Sequence, residues 1–200
     1  MATNFQDPRF KTILAMLAFY GVTGLTLDST FVDKWIRGDC GGKERWVVKT
    51  LTDQESHDID LKKSTTTTIA KIADMDVPFN PKQAKDDRQD MEKQLLTITC
   101  KIDRVIKEDD EDLHLVMHDG DESMVGEIVF PCCPDVIDAH RRKLFERPFK
   151  QFHPFRQGQA FKDHTWQVTG VVFVDFPHGQ TGMLPNCIEL HPIVDIHPID

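Results

Sequence analysis

The chain lacks the positive charge of a protein that coats nucleic acid. Its 24 Lys and Arg stand against 33 Asp and Glu, a formal net charge of −9. Nonspecific nucleic-acid affinity comes largely from phosphate contacts, so only a local basic patch could carry such binding here. Ordered cysteine spacing is missing too. Among the five cysteines there is no C-x-x-C, and no Cys/His group has zinc-finger spacing, which argues against a structural zinc site. Cys132 and Cys133 are adjacent, poor geometry for a bridge. The count is odd, so at least one thiol is unpaired within the chain. Cys100 and Cys187 are both expected on strands and could meet; two buried free thiols are the simpler alternative.

No apolar run has the length of a transmembrane helix. The run from Ile13 to Val22 follows Arg9 and Lys11, an order that resembles the basic and apolar parts of a secretory signal. Asp7 lies in that basic part and no small-residue cleavage pattern follows, as suits an apolar helix packed on a domain. Export to the periplasm and residence in the cytoplasm both stay open, and no integral membrane role is expected. Gly21 and Gly24 would end the helix in either case. The chain also has no internal repeat and no nucleophile–base–orienter set. Asp119, Asp121 and Glu122 do not make a calcium loop. No motif calls for a cofactor or assigns a metal.

What is present is a β pattern. Residues 1–42 read as an N-terminal extension, and 43–92 as a strand–helix segment packing on a barrel that spans 93–200. In the middle segment, Glu44–Leu51 has strand character, and the threonine run 65–68 offers a cap for a short helix that Pro78 and Pro81 stop. From Gln94 the period becomes two: Ile98, Cys100 and Ile102 alternate with Thr97, Thr99 and Lys101. The alternation slips near Val105 and Ile106, as at a bulge. Leu113–His118 is a second strand, with His114 and His118 expected on its solvent face. Asp119-Gly120 signals a hairpin, and Met124–Phe130 is a third strand. A helix over Pro134–Phe149 follows. Then come a strand with Trp166, Val168, Gly170, Val172 and Val174 on one face, a Gly-rich loop, and a last strand from Cys187 to Ile196, whose regular pairing His191-Pro192 would end. Three strands, a helix and two strands is the order of an OB-like five-stranded barrel, a mainly β fold with a helix between strands three and four.

Two stretches resemble a group of bacterial proteins that, like this chain, carry Glu44-Arg45-Trp46 with Val48-Lys49-Thr50-Leu51-Thr52-Asp53, and His178-Gly179-Gln180-Thr181-Gly182 with Pro185-Asn186 and Ile188-Glu189-Leu190-His191-Pro192. Asp112–Val116 also fits that group's second strand. The resemblance spans roughly residues 43–196. It implies an OB-like barrel and no mechanism, because the group carries no established activity.

Two constellations carry candidate chemistry. His178, Gln180, Asn186, Glu189 and His191 crowd the carboxy end. Glu189 and His191 are two apart on a strand, share a face, and could bind an ion or move protons. The bland alternative gives Gly179, Gly182 and Pro185 to the turn, and Gln180 and Asn186 to its backbone groups. Arg141, Arg142 and Lys143 open a basic segment that also holds Arg147, Lys150, Arg156 and Lys162, interleaved with Phe145, Phe149, Phe152, Phe155 and Phe161. Cations for a backbone and rings for bases are what a single-strand surface uses; rings packed on the barrel are the alternative. The reading that follows is a noncatalytic binding module for single-stranded nucleic acid or a small ligand. A metal-assisted hydrolase or nuclease on His178, Glu189 and His191 is the alternative.

Overall fold

The computed structural model describes residues 42, 44–131, 139–177 and 179–200. Six strands form one sheet: β1 (Thr65–Thr66), β2 (Leu95–Lys107), β3 (Leu113–Asp119), β4 (Glu122–Ile128), β5 (Trp166–Val174) and β6 (Ile188–Pro198). Their order is β1-β2-β3-β4-β6-β5, and β2 pairs back to β5. The long β2 pairs through Leu95–Cys100 with β5 and through Lys101–Lys107 with β3. β4 and β6 run parallel at Gly126↔Leu190. The result is a closed five-stranded mixed barrel of OB-like topology, mainly β.

Period two builds it. Leu96, Ile98, Cys100 and Ile102 of β2 point into the core with Leu113, Leu115 and Met117 of β3 and Trp166, Val168, Val172 and Val174 of β5. Gly170 is the gap in the β5 row. A Cβ there would lie 2.8 Å from Leu190 Cβ and 3.1 Å from the Pro192 carbonyl. Closing so small a barrel brings β5 and β6 that near. Gly120, at φ 67°, turns the β3–β4 hairpin as expected.

Several elements depart from the sequence expectation. Glu44–Leu51 is no strand. It holds a one-turn helix, α1 (Trp46–Lys49), entered through Arg45 at φ 51°. Its hydrogen bonds are local: Thr50 Oγ1 donates to the Trp46 carbonyl at 2.7 Å, and the Thr52 amide to Val47 at 2.8 Å. The bulge sits earlier than expected, between Ile102 and Arg104, so Asp103 and Arg104 are both exposed while Val105 turns back against the core. β6 runs on through Pro192, because the β5–β6 ladder shifts register around Gly170 and accommodates a residue without an N–H. Helix α2 (Ile69–Ala73) is capped by Thr68, which accepts from the Lys71 amide. A further turn, α3, spans Pro81–Ala84.

Between β4 and β5 lies α4 (Ala139–Phe152), continued by a 3-10 segment, His153–Asp163. The helix passes the expected end at Phe149 because Phe152 enters the core, 5.2 Å from the Trp166 ring. Cys100 and Cys187 are free thiols. No helix among the described residues is long and apolar enough to cross a membrane.

Two buried guanidinium groups hold the segment before β2: Arg45 ties it to the barrel at Val174, and Arg88 braces it internally. Arg45 places all five N–H donors. Nη1 and Nη2 meet Glu92 at 2.6 and 2.8 Å, and the remaining donors reach the carbonyls of Lys85, Asp87 and Val174 at 2.7, 3.0 and 3.0 Å. Glu92 in turn accepts from the Val174 amide at 3.0 Å. Arg88 forks onto Asp53 at 3.0 and 2.8 Å and donates to the Glu92 and Val48 carbonyls. Arg45→Ala or Glu92→Ala strands the other charge in a dry site and should each cost about 3–5 kcal/mol. In chemical denaturation, the double variant should lose clearly less than the sum of the two.

Candidate functional site

The inward row of β3, β4 and β6 is apolar, so the alternate positions face outward. On an OB barrel that outer face is commonly open. Here it carries His114, Glu127, Glu189 and His191, and every one is buried. His114 faces Glu127 across the β3–β4 ladder, and Glu189 is level with Phe173 on β5. The segment 42–53 packs nearby: Lys49 Nζ lies 5.2 Å from the Phe173 ring centre and Arg45 5.0 Å from it. Lys49 is also 3.9 Å from Asp175. His114 therefore does not sit in solvent, as its strand position suggests.

The cluster is built from opposed charges. His114 Nδ1 lies 3.2 Å from Glu127 Oε1 and 3.3 Å from Glu108 Oε1, and Nε2 lies 3.1 Å from the Thr181 carbonyl. A ring facing an acceptor on both sides carries both protons. Burial alone would depress its pKa, but the bonds to Glu108 and Glu127 push it up to about 10. His191 Nδ1 lies 2.7 Å from Glu127 Oε2 and 3.4 Å from Glu189 Oε1. Burial opposes its charge, and Glu127 outweighs burial, again to about 10. Glu127 is held well below the usual carboxylate range: burial would raise it, but His191 and His114 prevail. Glu189 goes the other way, pushed up to about 7 by burial and then by the Glu127 charge. Burial also raises Asp112 well above its ordinary value, and Asp110 adds to it. For Lys49, burial works against the charge, yet Glu189, Glu127 and Asp175 raise it.

The residues singled out in the sequence separate. Glu189 and His191 meet, as their spacing requires. Asn186 does not point at them: its Nδ2 lies 2.8, 3.1 and 3.1 Å from the carbonyls of Ile72, Ala73 and Met75, closing the end of α2. Gln180 is half-buried, and its Oε1 has no hydrogen-bond partner among the described residues. His178 lies outside the described residues. Arg141, Arg142 and Lys143 stand on the first turns of α4. Sequence reasoning passed over Glu127, Asp112 and Glu108 as site residues. The readable signal was Glu127 itself, a charge in the apolar run Met124–Phe130. One donor atom each from Asp112, Glu127 and His191 lie within 4.8 Å of one another, as do those of Glu108, His114 and Glu127; either set is spaced to hold a metal ion.

A second feature lies where the β2 bulge meets the 3-10 segment. A groove of about 700 Å³ is lined by Asp103, Arg104, Val105, Arg156, Gln159, Phe161 and Lys162. Asp103 Oδ1 is 3.3 Å from His118 Nε2, so its charge is partly turned away from the groove. Phe145, Phe152 and Phe161 are buried. Phe155 is half-buried, edge-on to Trp166 at 4.9 Å, and Phe149 edge-on to Phe130 at 5.7 Å. The rings of the basic segment are packing groups.

No protein-family model and no curated protein matches this chain. Among solved structures it is similar to a chain assigned provisionally as an aspartyl-tRNA synthetase from Leishmania major Friedlin, with 13% identity and a TM-score of 0.38, over 69% of this chain and 21% of that one. It is also similar to Entamoeba histolytica asparaginyl-tRNA synthetase, with 9% identity and a TM-score of 0.39, over 68% and 24%. This chain thus spans about a quarter or less of either chain, and at these scores neither likeness bears on function.

The Asn186 geometry predicts a structural cost. Asn186→Ala removes the donor shared by three carbonyls at the end of α2, of which Ile72 keeps the Met75 amide, and should lower stability by about 1–3 kcal/mol. Thermal unfolding measures it, and an unchanged melting temperature would assign the amide some other task.

Proposed function

We propose that the chain is a noncatalytic, OB-like binding module for single-stranded nucleic acid, gripped through its phosphates in the groove beside the β2 bulge. The observation that carries this reading is the rim of that groove, where Arg104, Arg156 and Lys162 stand against the single acid Asp103. Guanidinium forks match phosphate oxygens, and a local basic patch can act against an acidic average. Fold-level analogy agrees but adds little. Because the phenylalanines are packed, base stacking contributes little and sequence preference should be slight. Arg141, Arg142 and Lys143, on the first turns of α4, are proposed as further phosphate contacts.

We also infer membership of the bacterial group that shares the two motifs. In support, segments 44–53, 112–116 and 179–192, which carry the resemblance, converge on the buried cluster of the outer face. That cluster is a poor hydrolytic centre: Glu189 is 2% exposed and His191 0%, so a substrate does not reach them.

Anisotropy titrations of labelled single-stranded DNA and RNA test the proposal. Binding should weaken roughly tenfold or more between low and physiological salt. Arg104→Glu combined with Lys162→Glu should abolish it, and gels of the same samples should show no cleavage with magnesium or manganese. Absence of binding at low salt, or binding indifferent to the double substitution, refutes the groove.

A further inference from the structure

We propose that Asp112, Glu127 and His191 form a site for one divalent cation of the transition series, such as Mn²⁺, Co²⁺ or Zn²⁺, on the outer face of the barrel. The site is independent of the nucleic-acid reading and shares no residue with the groove.

The argument starts from unpaired atoms. Asp112 Oδ2, Glu127 Oε2 and His191 Nε2 are all buried, and none has a hydrogen bond. Glu127 Oε2 is paired with His191 Nδ1 at 2.7 Å, which leaves Asp112 Oδ2 and His191 Nε2 as the two stranded atoms. Native interiors rarely strand polar atoms, and here two are stranded beside Glu127, with one donor atom of each of the three residues within 4.8 Å of the others. His191 Nε2 and Asp112 Oδ2 are 3.7 Å apart. That is too far for a hydrogen bond and close to the separation of two ligands on one ion with bonds of about 2.1 Å.

The surrounding groups behave as supports. Asp112 Oδ1 accepts from the Phe130 amide at 2.7 Å, which leaves Oδ2 as the free end. Glu127 Oε1 is engaged by His114 at 3.2 Å. His191 is further flanked by Glu189, whose charge Lys49 offsets. Ligands oriented by a second layer of hydrogen bonds are the usual build of a protein metal site. Two carboxylates with one imidazole suit a borderline cation better than magnesium or calcium, which prefer an all-oxygen shell. Because each ligand comes from a separate element, a bound cation would tie the start of β3 to β4 and β6, displacing the His191 Nε2 proton to solvent as it binds.

The test uses the full chain, stripped with a chelator and dialysed. Zn²⁺ or Mn²⁺ alone should bind at one equivalent and raise the melting temperature, while Mg²⁺ at the same concentration should not. Co²⁺ should give a visible absorption band that Zn²⁺ displaces. Asp112→Asn and Glu127→Gln should each weaken binding at least tenfold, and His118→Gln, on the exposed end of β3, should leave it unchanged. Should the substituted proteins fail to fold, the wild-type stoichiometry and the Co²⁺ spectrum still decide. Less than a tenth of an equivalent bound with no thermal shift overturns the site, as does binding retained in a folded Asp112→Asn protein.

Discussion

The bond between Arg45 and Glu92 is the contact on which the architecture turns. Every guanidinium N–H has an acceptor, and the acceptors come from the loop before β2, from Glu92 and from the end of β5. A buried fork of this kind adds little stability over an apolar substitute, but it is costly to break and specific in geometry. It fixes where residues 44–53 lie. The second fork, Arg88 on Asp53, fixes their other end. With both in place the chain lies over part of the barrel wall instead of extending as a strand.

That placement helps close the outer face of β3, β4 and β6. Charged side chains there cannot be left to water, so they neutralise one another: two histidines and Lys49 among Glu127, Glu189, Asp112 and Asp175. The arrangement holds together because each carboxylate finds a cation or a proton. A face that many barrels leave open to ligands thereby becomes interior, and the groove lies elsewhere, beside the β2 bulge. The bulge matters for a local reason. Inserting Asp103 turns it and Arg104 outward together, which brings Arg104 into line with Arg156 and Lys162.

Much of the barrel was legible. Ile98, Cys100 and Ile102, or Trp166 and Val168, declare a strand with one wet side and one dry side, and the Asp119-Gly120 turn declares its hairpin. The same rule misled at Trp46, Val48 and Thr50, where alternating buried residues belong to a helical turn. The local pattern puts His114 on the solvent side because its strand neighbours point inward; nothing in that pattern announces that another segment covers the far side. Asn186 was legible as a loop stabiliser, but its partners on α2 lie more than a hundred residues away.

The order of strands and helix, the inward rows and the turn were set by the sequence alone, because the period of a strand and the conformation of a glycine are properties of a few neighbouring residues. The partners of Arg45, His114 and His191, the sealing of the outer face and the assembly of the groove were decided by the tertiary structure. Their physical basis is that a buried charge must be met by groups in space, and those groups are supplied by whichever distant segments the closed barrel brings beside it.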